Sequence, residues 1–166
     1  MIKDVLIDTG IWIDFLNGKN SSLYLGELLE TNRVTIHNLI EGELRVGNIK
    51  NRSKFLDLLQ SVKRASEINR DVLFLLIEKE YLFGKGLSII DVHIYAAALV
   101  DHLLVWTNDK NLKKICERKG ILFSIFIIQN SNQKSGKRHF RIESRPLRGA
   151  FCRAKSLSIS YLSKYI

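Results

Sequence analysis

VLIDTGIWIDFL, residues 5–16, changes character halfway along. Val5, Leu6 and Ile7 form an apolar run suited to a buried strand, and Asp8 follows at once, ahead of Thr9 and the chain-breaking Gly10. From Ile11 to Leu16 the apolar spacing is helical. A strand that ends on a carboxylate and passes directly into a helix is half of an α/β unit. Working outward, strand-like runs recur at VTIH (34–37), LLVWT (103–107) and ILFSIFI (121–127). Helical spacing fills the intervals at 23–30, 38–47, 54–62, 71–83, 90–100 and 110–120. This alternation predicts an α/β sandwich whose central sheet is mainly parallel. Helix ends are marked as well: Ser88 stands at a cap position, Asn108 and Asp109 sit where a cap belongs, and Gly120 stands where a helix terminates.

Composition narrows the class. The chain has 166 residues, 46% of them apolar, which suits one globular domain. Cys116 and Cys152 make no disulfide framework and no C-x-x-C pair, which favours a reducing, cytoplasmic setting. The longest apolar run, at 121–128, is far below the roughly 20 residues of a membrane span, so no membrane partner is expected. The net charge of +9 resembles a nucleic-acid footprint, but its distribution changes the inference. Residues 1–129 hold 17 Lys and Arg against 16 acids, whereas residues 130–166 hold 9 against Glu143 alone. The chain therefore divides into a nearly neutral domain, 1–128, and a basic tail, 129–166. That tail reads as a poorly ordered segment or as a nonspecific contact for phosphate backbone.

Four acids occupy similar places. Asp8 ends the first strand and Asp109 follows the third, while Glu43 and Asp91 fall within helical stretches. At 100° per residue, Ile40, Leu44 and Gly47 share an arc that Leu39 and Val46 extend, and Glu43 falls inside it with Glu41 outside. Asp91 shares a face with Ile94, Tyr95 and Ala98. Carboxylates on apolar faces are costly unless something neutralises them. A divalent cation would do so, and hard oxygen donors suit Mg²⁺, with Mn²⁺ as its substitute. His37, His93, His102 and His139 show no metal-ligand spacing, which argues against zinc. The open alternative is local: Asp8 and Asp109 could each serve simply as a helix cap.

At this point the motifs resemble the PIN-domain family, and within it the VapC toxins of bacterial type II toxin–antitoxin pairs. The resemblance rests on LIDTGIWIDFL, on VTIHNLIEGELRVGNIKNRSKFLDLL, and on YLFGKGLSIIDVHIYAAALVDHLLVWTNDKNLKKIC. It covers about residues 3–124. It implies a PIN-like three-layer sandwich and a Mg²⁺-dependent endoribonuclease whose products end in a 3′-hydroxyl and a 5′-phosphate. The family's acids fall on Asp8, Glu43, Asp91 and Asp109, with Thr9 and Thr107 on its supporting hydroxyls. An RNA substrate and a cognate antitoxin protein are implied, and homodimers are common in the family. The apolar faces of LYLGELLE and KFLDLLQSV could form the antitoxin's groove or pack in the core.

Other classes fit less well. A haloacid-dehalogenase phosphatase needs a second acid where Gly10 stands, and no P-loop motif occurs. A receiver-like domain wants a Lys near its last strand that cannot be placed. A PIN fold that binds RNA or a partner without cutting it is the remaining rival.

Overall fold

The computed structural model describes residues 3–19 and 22–125. The domain boundary expected at 128, the basic tail, His139 and Cys152 lie outside the described residues. In chain order the elements are β1 (Val5–Ile7), α1 (Thr9–Leu16), α2 (Ser22–Glu30), β2 (Val34–Ile36), α3 (Asn38–Val46), α4 (Arg52–Ser61), β3 (Lys63–Arg64), α5 (Arg70–Lys79), α6 (Ile89–Val100), β4 (Leu104–Trp106) and α7 (Lys110–Lys119).

Among the described residues the sheet has four strands in the order β3-β2-β1-β4, all parallel. Val5 lies opposite both Val34 and Leu104, so β1 is central. Every residue of β1, β2 and β4 is buried, as expected when helices cover both faces of a parallel sheet. Helix α1 contacts α2 and α3, and α6 contacts α5 and α7. The arrangement is the three-layer α/β sandwich that the alternation predicts. The chain steps from β1 to β2 to β3, then returns across β1 to lay down β4. Strand order thus reverses between β1 and β4, and a crevice beyond their carboxyl ends is where such sheets bind ligands.

Local chemistry explains the helices. Helix α7 buries Leu112, Ile115 and Cys116 at helical spacing. It ends at Gly120, whose φ of 67° is easily adopted without a Cβ. Helix α6 buries Val92, Ile94, Tyr95, Ala96, Ala97 and Ala98, and its small Ala run lets it settle close against neighbours on more than one side.

The structure departs from the sequence reading of the elements at four places. The strand expected at 121–127 reduces to a parallel bridge between Val105 and Leu122, and residues 126 and 127 lie outside the described residues. β3 was not expected, because Lys63 and Arg64 are both exposed and carry no apolar signal. Helix α5 stops at Lys79 and not at 83, since Tyr81 takes a left-handed φ of 51° and turns the chain. Helix α1 starts two residues early, at Thr9, because β1 ends at Ile7 and Asp8 becomes the cap. Of the two readings left open for the apolar faces of α2 and α4, core packing holds for Tyr24, Leu25, Leu28, Phe55 and Leu59, which are buried. No helix among the described residues is long and apolar enough to cross a membrane.

Candidate active site

The turn after β1 places Asp8 at the strand reversal. Its Oδ1 accepts the Thr9 N–H at 2.7 Å, and its Oδ2 accepts the Thr107 hydroxyl at 2.6 Å. Thr107 follows β4, so this bond spans the crevice between the two strand ends. The same Thr107 oxygen accepts the Asp109 N–H at 2.9 Å. Asp109 in turn caps α7, its Oδ1 accepting from the N–H groups of Asn111 and Leu112 at 2.8 Å each. The cap bonds use one oxygen of Asp8 and one of Asp109, and the second oxygen of Asp8 is the one that Thr107 meets.

The helical acids arrive differently. Asp91 is half-buried at the start of α6 in a capping box, where its Oδ2 accepts the Ser88 N–H at 2.7 Å and Ser88 Oγ accepts the Asp91 N–H at 3.1 Å. That S-x-x-D spacing was the available signal for Ser88 as a positioning residue. Glu43 is exposed at the edge of α3 and accepts the Thr9 hydroxyl. The broad apolar arc drawn for α3 needs correction. Ile40 and Leu44 are buried, but Leu39 and Gly47 are open and Val46 is 90% exposed, so the buried stripe is narrower than the arc. Glu41, read as outside the arc, is half-buried in ion pairs with Arg45 and Arg64. Glu43 reaches the site through Thr9 and not by burial.

The charges feel one another. Burial pushes the Asp8 carboxyl up from the usual carboxylate range, Thr107 and the Thr9 N–H oppose that, and Asp91 and Glu43 add to it. Beneath them lies the buried thiol of Cys116, pushed up to about 12 by burial first and then by Asp8 and Asp91. Among the described residues no Lys or Arg forms an ion pair with Asp8, Glu43, Asp91 or Asp109. Crowded hard oxygens without a basic neighbour fit a small divalent cation in chemistry and in charge. They are not a finished cage. Among the described residues no three acids, imidazoles or thiols are gathered as a metal-binding group. One reason is that Asp8 and Asp91 each turn an oxygen into their own local bonds.

The histidines serve elsewhere. His37 Nδ1 accepts the Leu39 N–H at 3.1 Å and caps α3, and its ring lies 5.7 Å from that of His93. Burial, then His93, lowers the His37 pKa from its ordinary value, so the ring is neutral at physiological pH.

The PIN domain family model matches residues 5–118, the span that contains all four acids. The chain belongs to the PIN-domain family. It is 34% identical over 118 residues to Ribonuclease VapC32 of Mycobacterium tuberculosis, in strains CDC 1551 and H37Rv alike. That match covers 70% of this chain and 94% of the relative. Among solved structures, the crystal structure of PAE2754 from Pyrobaculum aerophilum aligns with a TM-score of 0.48 at 15% identity, over 68% of this chain and 84% of that one. At that level the structural likeness adds nothing to the assignment.

Proposed function

We propose that the protein is a metal-dependent endoribonuclease and the toxin of a type II toxin–antitoxin pair, hydrolysing RNA phosphodiester bonds at the acid cluster. The observation that carries this reading is Asp8, held by hydroxyl and amide donors at the strand reversal and raised in pKa partly by Asp91 and Glu43, with no ion pair to a Lys or Arg among the described residues. Kinship with a protein named a ribonuclease supports the reaction class.

Asp8 and Asp91 would hold Mg²⁺ or Mn²⁺, with Glu43 and Asp109 completing the set. A cation bound there would supply charge neutralisation at the phosphate and a more acidic water. The chain's own contribution is positioning. Thr107 orients Asp8 and joins it to the Asp109 backbone, Thr9 holds Glu43 toward α1, and Ser88 fixes Asp91 at the head of α6. Such supporting contacts matter about 10–100-fold in metal affinity or activity.

An antitoxin protein would silence the site, and crowded carboxylates favour a partner that offers Lys or Arg to them. Localisation in the cytoplasm follows from an RNA substrate, and a homodimer is compatible with the reading.

Purified protein incubated with total RNA tests the proposal. Cleavage should appear with Mg²⁺ or Mn²⁺, vanish with EDTA and return on adding the metal back. RNA binding that EDTA does not touch, with no cleavage in any metal, would support instead a PIN fold that binds without cutting.

A further inference from the structure

Between the end of α5 and the start of α6, residues 80–88 form a loop of which the acid site uses only Ser88. It frames a pocket of about 180 Å³ lined by residues that include Leu82, Phe83, Lys85, Ser88, Ile89 and Val92. Leu82 and Val92 are buried and form part of its apolar wall, while Phe83 and Ile89 are more than half exposed. Phe83 is buttressed by the exposed Tyr81 in an edge-on contact, ring centroids 6.0 Å apart. Large exposed rings at a pocket mouth are costly unless something covers them.

Two further observations say what covers them. Lys85 lines the pocket with its amine bonded to the Glu80 carbonyl at 3.3 Å, and among the described residues it forms no ion pair with a carboxylate. The pocket therefore joins an aromatic wall to an unneutralised cation, the pairing that single-stranded nucleic acid uses for base and phosphate. Its volume is below that of pockets that take drug-sized ligands, and so suits one ring.

The place is equally specific. Ser88 lines the pocket and also donates its N–H to the Asp91 carboxylate at 2.7 Å. On the other side, Asn111 Nδ2 donates to the Gly86 carbonyl at 3.0 Å, two residues beyond the Asp109 cap. Gly86 has a φ of 68°, and a Cβ there would lie 2.9 Å from that same Asn111 nitrogen. The last residues of the loop are thus tied both to the helix that carries Asp91, through Ser88, and to the helix that Asp109 caps, through Gly86.

We infer that this pocket seats one unpaired nucleotide of the RNA beside the bond to be cut, Phe83 stacking on its base and Lys85 meeting a phosphate. The inference rests on the ribonuclease reading for the identity of the strand and deepens it by naming a subsite. It makes Phe83 and Lys85 determinants of substrate affinity and leaves the chemistry to the acids.

The test uses the full chain. A Phe83→Trp variant is titrated in EDTA with each of AMP, GMP, CMP and UMP, and with single-stranded RNA. Its fluorescence is compared with that of the parent, whose Trp12 and Trp106 are buried. Saturable quenching is expected in the variant alone, weakened about tenfold by adding Lys85→Gln. In cleavage assays with metal, Phe83→Leu should raise KM about tenfold and leave kcat close to the parent value. No quenching, together with an unchanged KM in Phe83→Leu while the parent still cleaves, overturns the subsite and spares the ribonuclease reading. Quenching without cleavage by the parent keeps the nucleotide site and removes the ribonuclease reading. A Phe83→Leu change that weakens self-association in sedimentation but leaves RNA affinity intact also overturns the subsite, and assigns the rings to a protein interface.

Discussion

The two ends of β1 carry the same chemical group in opposite circumstances. Asp4 stands just before the strand and is paired with Lys63 Nζ at 2.8 Å across the sheet. Asp8 stands just after it and meets only a hydroxyl, an amide and the fields of two further acids. Nearby, at the start of β2, Arg33 donates to the Lys3 carbonyl. At the amino end Asp4 meets a base; at the carboxyl end Asp8 feels Asp91 and Glu43 and, among the described residues, forms no ion pair. On the proposed ribonuclease reading, that asymmetry leaves a charge for a bound cation to neutralise.

Substitution at the two ends should separate them most sharply. Asp8→Asn is expected to lower RNA cleavage on the order of a thousandfold, the scale of the several kcal/mol that a bound cation contributes. Asp4→Asn should leave the rate near that of the parent. Equal losses in single-turnover assays would abolish the distinction. A smaller effect, about 10–100-fold, is expected for Thr107→Val, which removes the donor to Asp8 without touching a charge. If that variant cleaves at full rate, Thr107 has no positioning role.

The pH dependence of stability sharpens the same comparison. The folded-state pKa of Asp8 is raised, so the folded protein holds that proton more tightly than the unfolded chain. Its contribution to stability is therefore full below the unfolded value of 3.8 and is lost as pH rises through the folded value. In metal-free buffer, denaturant titrations of the parent and Asp8→Asn should diverge with rising pH, the parent losing ground. A constant difference across that window would contradict the placement of Asp8. Least affected should be Lys63→Met, whose partly exposed pair with Asp4 stabilises by about 0–1 kcal/mol. A loss well above that range, read from the midpoint of urea unfolding, would make the amino-end pair structural.

Much of this was legible in the sequence where one residue's chemistry decided its own position. The runs VLI, VTI and LVW became strands because they are rich in β-branched and large apolar residues, and Ser88, Asp109 and Gly120 mark helix ends by local chemistry. β3 was not legible, since Lys63 and Arg64 are strand only through their pairing with Thr35 and Ile36. The end of α5 was missed because no Gly or Pro announces it; the turn is made by Tyr81 at positive φ. Among the acids, the face of Asp91 was read correctly from Ile94, Tyr95 and Ala98, all buried. Glu43 was chosen on an arc half of which is open to solvent, and its tie to Thr9 joins residues 34 apart that no helical wheel connects. The pocket at 80–88 was invisible for the same reason, because its walls come from a loop and two helices.

Cys116 gives the core a clock. Its side chain is fully enclosed and its thiol, with a pKa of about 12, stays protonated. A thiol-specific reagent can reach it only when the packing around α7 opens. In a Cys152→Ser background, the labelling rate would count those openings, and a ligand that knits the strand ends to α7 would slow the count without touching sulfur.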